Sequence, residues 1–128
     1  MRLRRARELL EKDLTEKIIT ACLEVSNELG AGFLESVYER ALLIALTDKG
    51  LKAETQVPLK VVFRNRVVGD FYADTLVENL VIIELKAVKS IGTDHEAQLI
   101  NYLKATNKRV GLLVNFGKPK LEWKRFVY

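Results

Sequence analysis

The sequence predicts an α/β fold in which helices pack against a mixed central sheet. Three observations carry that prediction. Apolar residues recur at helical spacing between residues 14 and 50 and again from 93 to 107. β-branched and apolar stretches fill most of 56–88, broken by short polar turns. Arg109 to Phe116 is a nearly continuous apolar run, as in a strand covered on both faces. The order is helix, helix, three strands, helix, two strands, and each helix needs an apolar surface to cover.

The elements follow in turn. Asp13-Leu14-Thr15-Glu16 reads as a capping box with Asp13 as N-cap, and Leu14, Ile18, Ala21, Cys22, Val25 and Leu29 continue as one helical stripe. Gly30-Ala31-Gly32 stops it. A second helix starts near Phe33, directs Leu34, Val37, Tyr38, Ala41, Leu42 and Ala45 inward, and ends at Gly50 as its C′ glycine. Gln56–Phe63 is a strand in which Pro58 marks an edge or a strand beginning. Arg64-Asn65-Arg66 turns the chain into strands at about 67–77 and 80–88. The helix at 93–107 carries Leu99 and Leu103 on one stripe, and the last strand covers roughly 121–127.

The chain has 128 residues, enough for a single domain over 1–128. Its composition, 48% hydrophobic and 30% charged, is that of a folded protein rather than a disordered one. No apolar run approaches the ~20 residues needed to span a bilayer, and no secretory leader follows the basic N-terminus, so the expected location is cytoplasmic. The lone Cys22 falls on the apolar stripe, and with one histidine in the chain a zinc enzyme is disfavoured against a hard ion held by oxygen. The net charge is +4, with basic residues gathered at both ends: Arg2, Arg4, Arg5, Arg7 and Lys12, then Lys118, Lys120, Lys124 and Arg125. Such clusters can meet phosphates, though most charge runs are solvated surface.

Two strands carry charge where apolar residues belong. Strand side chains alternate, so Ile83, Leu85 and Ala87 point one way while Glu84 and Lys86 point the other between Ile82 and Val88. In the preceding strand Asp74 lies between Tyr72 and Leu76 on one face, with Phe71, Ala73, Thr75 and Val77 on the other. Buried charge is costly unless paired or bound to metal. On these residues alone, a salt-bridged cluster at a sheet end and a Mg²⁺ or Mn²⁺ site stand side by side. Register decides whether the carboxylates can meet. A two-residue loop at Glu78-Asn79 would set Asp74 opposite Ile83. A three-residue loop, Glu78-Asn79-Leu80, pairs Val77 with Val81 and Asp74 with Glu84, and Asn79 tolerates the left-handed backbone such a loop needs. The odd offset is the expectation.

Asp74, nine intervening residues, then Glu84-Leu85-Lys86 resembles the signature of the PD-(D/E)XK nuclease superfamily, with Ala73 where its name has proline. Gly32-Phe33-Leu34-Glu35-Ser36-Val37-Tyr38 is similar to the motif of the GxxExxY family within it. The stretch His95–Leu103, followed by Gly111–Gly117, resembles the same family, and Gln98 with Tyr102 resembles the QxxxY motif of RecB-type nucleases. The resemblance runs from about residue 14 to the C-terminus. It implies a restriction-endonuclease-like αβββαβ core. Asp74 and Glu84 would be ligands for Mg²⁺ (or Mn²⁺), Lys86 the catalytic lysine, and Glu35 a further helix-borne ligand. Gln98 and Tyr102 would face the site. For Glu35 a solvated helix face, for Tyr38 a packed core position, for His95 a helix-start position and for Trp123 simple packing are the competing assignments.

The resulting expectation is a metal-dependent nuclease acting on DNA. Arg4, Arg5, Lys120 and Lys124 are candidate nucleic-acid contacts, and substrate choice comes from the surface, a homodimer or a partner protein. Two other functions suit the same fold: a catalytically silent nucleic-acid-binding module and a protein-interaction subunit.

Overall fold

A computed structural model of the chain describes residues 11–128. Two helices, α1 (Lys12–Leu29) and α2 (Glu35–Asp48), precede β1 (Ala53–Phe63), β2 (Arg66–Val77) and β3 (Val81–Lys86). Helix α3 (Thr93–Thr106) then leads to β4 (Val110–Asn115) and β5 (Glu122–Val127). The five strands form one sheet in the order β1-β2-β3-β4-β5. Only β3 and β4 run parallel. A parallel pair cannot be joined by a tight turn, and α3 supplies the crossover.

The central strands of the sheet are buried on both faces. On one, Ile18, Cys22 and Val25 of α1 and Tyr38, Leu42 and Leu46 of α2 pack on Val77, Val81, Ile83, Leu85, Leu112 and Val114. On the other, Leu99, Tyr102 and Leu103 of α3 pack on Leu76, Ile82 and Leu113. The six residues of β4 are all buried, as the apolar run from 109 to 116 requires. Pro58 lies in β1, an edge strand, where a residue without an N–H is tolerated.

Several elements differ from their sequence-based expectation. Helix α1 starts with the Thr15 N–H bonded to the Glu11 carbonyl, which puts Asp13 inside the first turn and not at an N-cap. Its charge there still complements the helix dipole. Helix α2 starts two residues after Phe33, and Leu34, at its N-cap, is 77% exposed instead of facing the core. At the other end the expectation holds: Gly50, at φ 76°, bonds back to Thr47 while Leu51 bonds to Leu46. That pair of bonds is a Schellman ending, which needs a left-handed C′ residue.

The hairpin of β1 and β2 contains the main surprise. Ala53 and Val57 lie four residues apart and should share a face, yet Ala53 packs toward α1 and α2 while Val57 packs toward α3. Val77 and Ala73 in β2 divide in the same way. The ladder pairs Thr55 with Thr75 and Val57 with Ala73, leaving the step at Gln56 and Asp74 unpaired, and Gln56 has φ 51°. Alternation therefore resets at Asp74. Ala73 is not on the face of Val77, as simple alternation predicts, and the outer half of the hairpin turns toward α3.

Candidate active site

The register between β2 and β3 is odd. Val77 pairs with Val81, Leu76 with Ile82 and Thr75 with Ile83, so the next step sets Asp74 opposite Glu84. Glu78 and Asn79 both have positive φ (52° and 58°), and the Leu80 N–H closes the turn on the Val77 carbonyl at 2.9 Å. A left-handed glutamate needs an anchor, and Glu78 has one. Its N–H donates to the Lys52 carbonyl, and its carboxylate accepts the Lys52 N–H.

Beyond Thr75–Ile83 the two strands part, and carboxylates take over from the ladder. The Asp74 N–H donates to Glu84 Oε1 at 3.3 Å, and the Leu85 N–H donates to Asp74 Oδ2 at 2.8 Å. Each acid is thereby oriented by the other's strand. Glu84 is 3% exposed. Burial first, and the Asp74 charge second, push its carboxyl up to about 8. Lys86 lies two residues along on the same side and reaches Gln98 Oε1 of α3 at 3.5 Å. Gln98 Nε2 in turn donates to the Tyr102 hydroxyl at 3.0 Å. Burial, then Glu84 and Asp74, raise the Tyr102 hydroxyl above its ordinary range. The helical i, i+4 spacing of Gln98 and Tyr102 thus stands both side chains beside the charged strand ends.

The structure brings together Asp74, Glu84, Lys86, Gln98 and Tyr102. Glu35 stands apart: it is exposed in the first turn of α2. Glu39, one turn further, comes closer. Its carboxyl is raised by burial foremost and also by Asp74 and Glu35, while Gln56 Nε2 donates to both its oxygens at 3.3 and 3.1 Å and lowers it. The sequence signal for Glu39 was its place one turn from Glu35 on the same helix face, equally consistent with a solvated stripe. Among the described residues no three Asp, Glu, His or Cys side chains converge as a metal cluster. The gathered acids are the pair Asp74 and Glu84.

Other candidates resolve into structural roles. The Tyr38 hydroxyl donates to the Gly30 carbonyl at 2.6 Å and accepts the Phe33 N–H at 3.2 Å. Its ring stacks on Phe116 with centroids 4.7 Å apart. The tyrosine that ends the Gly32–Tyr38 motif therefore latches the loop from which α2, and with it Glu35 and Glu39, departs. His95 Nδ1 accepts the Gly92 N–H at 3.1 Å, a helix-start role. Lys124 pairs with Glu96 at 2.8 Å, Lys120 is exposed, and Trp123 is 44% exposed on β5. Arg4 and Arg5 lie outside the described residues.

One group escaped the sequence reading. Asn115, fully buried at the end of β4, accepts the N–H groups of Val88 (3.0 Å) and Gly117 (2.9 Å) and donates to the Val88 carbonyl (2.9 Å) and Glu122 Oε1 (3.2 Å). Glu122 Oε1 also accepts the Ile91 N–H at 3.0 Å. A Cβ on Gly117 would come within 2.3 Å of the Val88 carbonyl oxygen, so only glycine permits this approach. Together these residues fasten the segment after Lys86 to the neighbouring strands. The hint in the sequence was a polar residue in an otherwise apolar run.

A family model of the PD-(D/E)XK nuclease superfamily matches residues 12–126, and the chain belongs to that superfamily. No curated protein matches it. Among solved structures it is similar to the crystal structure of SSO0001, with a TM-score of 0.59 and 22% identity over 94% of this chain. That likeness covers 60% of the other chain and shows a shared fold, consistent with the restriction-endonuclease-like core. Among the described residues no helix is long and apolar enough to cross a membrane.

Proposed function

We propose that this protein hydrolyses phosphodiester bonds of DNA, using a divalent cation held by Asp74 and Glu84 and the ammonium of Lys86. The observation that carries the reading is the odd β2–β3 offset, which sets the two acids opposite each other with Lys86 beside them. Membership of a nuclease superfamily supports the class of reaction.

The donor set fits Mg²⁺ or Mn²⁺. Glu84 is almost fully buried beside the Asp74 charge, and both circumstances favour its protonated form, so a cation held between the two acids would stand where that proton does. Hard oxygen ligands with room for retained water are what these ions prefer. Bound there, the ion would polarise the phosphate and ease deprotonation of an attacking water. Lys86 would orient that water and offset charge gathering on the phosphoryl oxygens. Gln98, braced by Tyr102, would accept from the lysine's ammonium and so fix where that charge stands relative to the phosphate. Glu39 and Glu35, approaching from α2, would act on the ion through water.

The same reading places the chain in the GxxExxY family, on the motif Gly32–Tyr38 and the latch made by its tyrosine. The exposed Lys120, with Lys124 and the N-terminal Arg4 and Arg5, would meet phosphates away from the scissile bond, and a second copy or a partner protein would refine substrate choice. Cleavage of a DNA panel with Mg²⁺ or Mn²⁺, with chelator and with Lys86→Ala tests the reading. Metal-dependent products that disappear with chelator and in the variant support it. DNA bound but never cut under either metal would identify a silent binding module instead.

A further inference from the structure

Near the acidic pair, the outer half of the β1–β2 hairpin and helix α3 flank an open cavity of about 900 Å³. It exists because alternation resets at Gln56 and Asp74, which swings Phe71 and Ala73 toward α3. The Phe71 ring lies 5.8 Å from that of Tyr102, centroid to centroid, yet remains 43% exposed, with one surface open to the cavity. Gly69 makes room for it: a Cβ there would lie 2.9 Å from the Phe71 ring edge. Across from Phe71 stand Ala97 and Asn101 of α3. Lys60 and Lys104 contribute positive charge to the walls, against the single carboxylate of Asp94.

Two of the lining residues, Gln98 and Tyr102, are also those that reach the candidate active site, Gln98 through its contact with Lys86. The cavity is therefore one side chain away from where a scissile phosphate would sit. Its volume accommodates a nucleotide. Paired bases in a duplex are stacked on one another and have no face to offer an aromatic ring, whereas an unpaired base has both. Phe71 offers a sequence-tolerant stacking surface, Asn101 an amide that both donates and accepts at a base edge, and the lysines a counter-charge for flanking phosphates.

We infer that this cavity receives one unpaired base of a DNA strand, placing the adjoining phosphate at Asp74, Glu84 and Lys86. The inference rests on the nuclease reading and narrows it, assigning single-stranded DNA, or DNA with an unpaired nucleotide, as the substrate class. Fixing the base one side chain from Lys86 would set which phosphate reaches the acids.

The test uses the full chain in chelator, so that the strand stays intact, with a single-stranded DNA oligonucleotide carrying 2-aminopurine and its fully paired duplex as probes. Base stacking on an aromatic side chain is worth about tenfold or more in affinity. The single strand should bind at least about tenfold tighter than the duplex, and the fluorophore should quench on binding. Phe71→Leu, which keeps apolar bulk without a ring, should abolish that quench and the preference, while Phe71→Tyr should retain both. Equal or tighter binding of the duplex, no quench, or an unchanged Phe71→Leu variant overturns the inference. An RNA strand of the same sequence bound more tightly overturns the assignment to DNA. Adding Mg²⁺ or Mn²⁺ separates the two readings. Cleavage without quenching leaves the nuclease and removes the base site; quenching without cleavage under either metal does the reverse.

Discussion

The two faces of strand β3 are built from one six-residue segment and obey different rules. Ile83 and Leu85 point into the cluster under α1 and α2, where the neighbours are apolar side chains and the fully buried Tyr38 has both its hydroxyl partners. Ile82 begins the opposite face in the same manner, against Leu99 and Leu113, but Glu84 and Lys86 end it with charge. Packing sets the first face throughout. On the second, packing gives way to charge at Glu84, and on the β2 side hydrogen bonds between side chains and backbone take over from the ladder, while the pairing with β4 runs on to Lys86. The first face holds the fold together, and the second spends part of that stability on a site.

Substitutions should therefore separate the faces. The largest effect is expected for Lys86→Ala, which should lower metal-dependent cleavage by roughly a thousandfold while leaving the melting temperature nearly unchanged. Single-turnover rates and a thermal melt on the same preparation check it. A large fall in Tm would mean that Lys86 supports the fold and that the contrast between faces is false. Ile83→Ala, one residue from Glu84 on the packed side, should behave in the opposite way. A buried isoleucine truncated to alanine loses about 2–5 kcal/mol of stability. Chemical denaturation should show that loss, whereas the folded fraction should cleave at close to the parent rate.

The pH dependence sharpens the contrast next. Burial and Asp74 hold the Glu84 carboxyl up at about 8, above its value in the unfolded chain. The folded metal-free protein therefore binds this proton more tightly than the unfolded one. The associated stability is fully present below the ordinary carboxylate range and is lost progressively as pH rises from there through about 8. Melts of chelated protein across this window should fall with pH, and Glu84→Gln should flatten the slope. A slope identical in the variant would assign the effect to other groups.

Much of this was legible from residues alone, and the gaps have a common cause. Helical periodicity located α1, α2 and α3, and the apolar run at 109–116 predicted a doubly covered strand. Turn arithmetic at Glu78-Asn79-Leu80 gave the offset that sets Asp74 against Glu84. Long-range anchors were not legible. Glu78 adopts a left-handed backbone because Lys52, far away in sequence, holds it by two bonds. Gln56 breaks the alternation of β1 while its amide is tied to Glu39 on another element, so a reading that assumes ideal strands puts Ala73 on the wrong face. Glu35 drew attention through its motif, whereas Glu39, nearer to Asp74, could be told from surface charge only once α2 was packed. Asn115 takes its role from Val88 and Glu122, both distant from it along the chain or on another strand.

The smallest expected effect tests how the polar face is braced. Tyr102→Phe removes one hydroxyl and leaves the ring on Phe71 and in the α3 cluster. Gln98 Nε2 then loses its 3.0 Å acceptor, and only the long 3.5 Å contact of Oε1 with Lys86 still fixes which way round the amide lies. Flipped, Gln98 would present its NH₂ to the Lys86 ammonium, donor against donor, and the lysine would swing away. One neutral hydrogen bond is worth about 1 kcal/mol, so cleavage should fall by about fivefold, through kcat and not KM, because the substrate keeps its phosphate and base contacts. Stability should hardly change, since the removed hydroxyl lies beside the site and is not part of the core packing. Gln98→Ala in the same assay should be as slow, and the double variant no slower, because both changes cut one chain of contacts. If the two losses instead multiply, Tyr102 and Gln98 act separately, and Tyr102 touches the reacting groups without Gln98 between them.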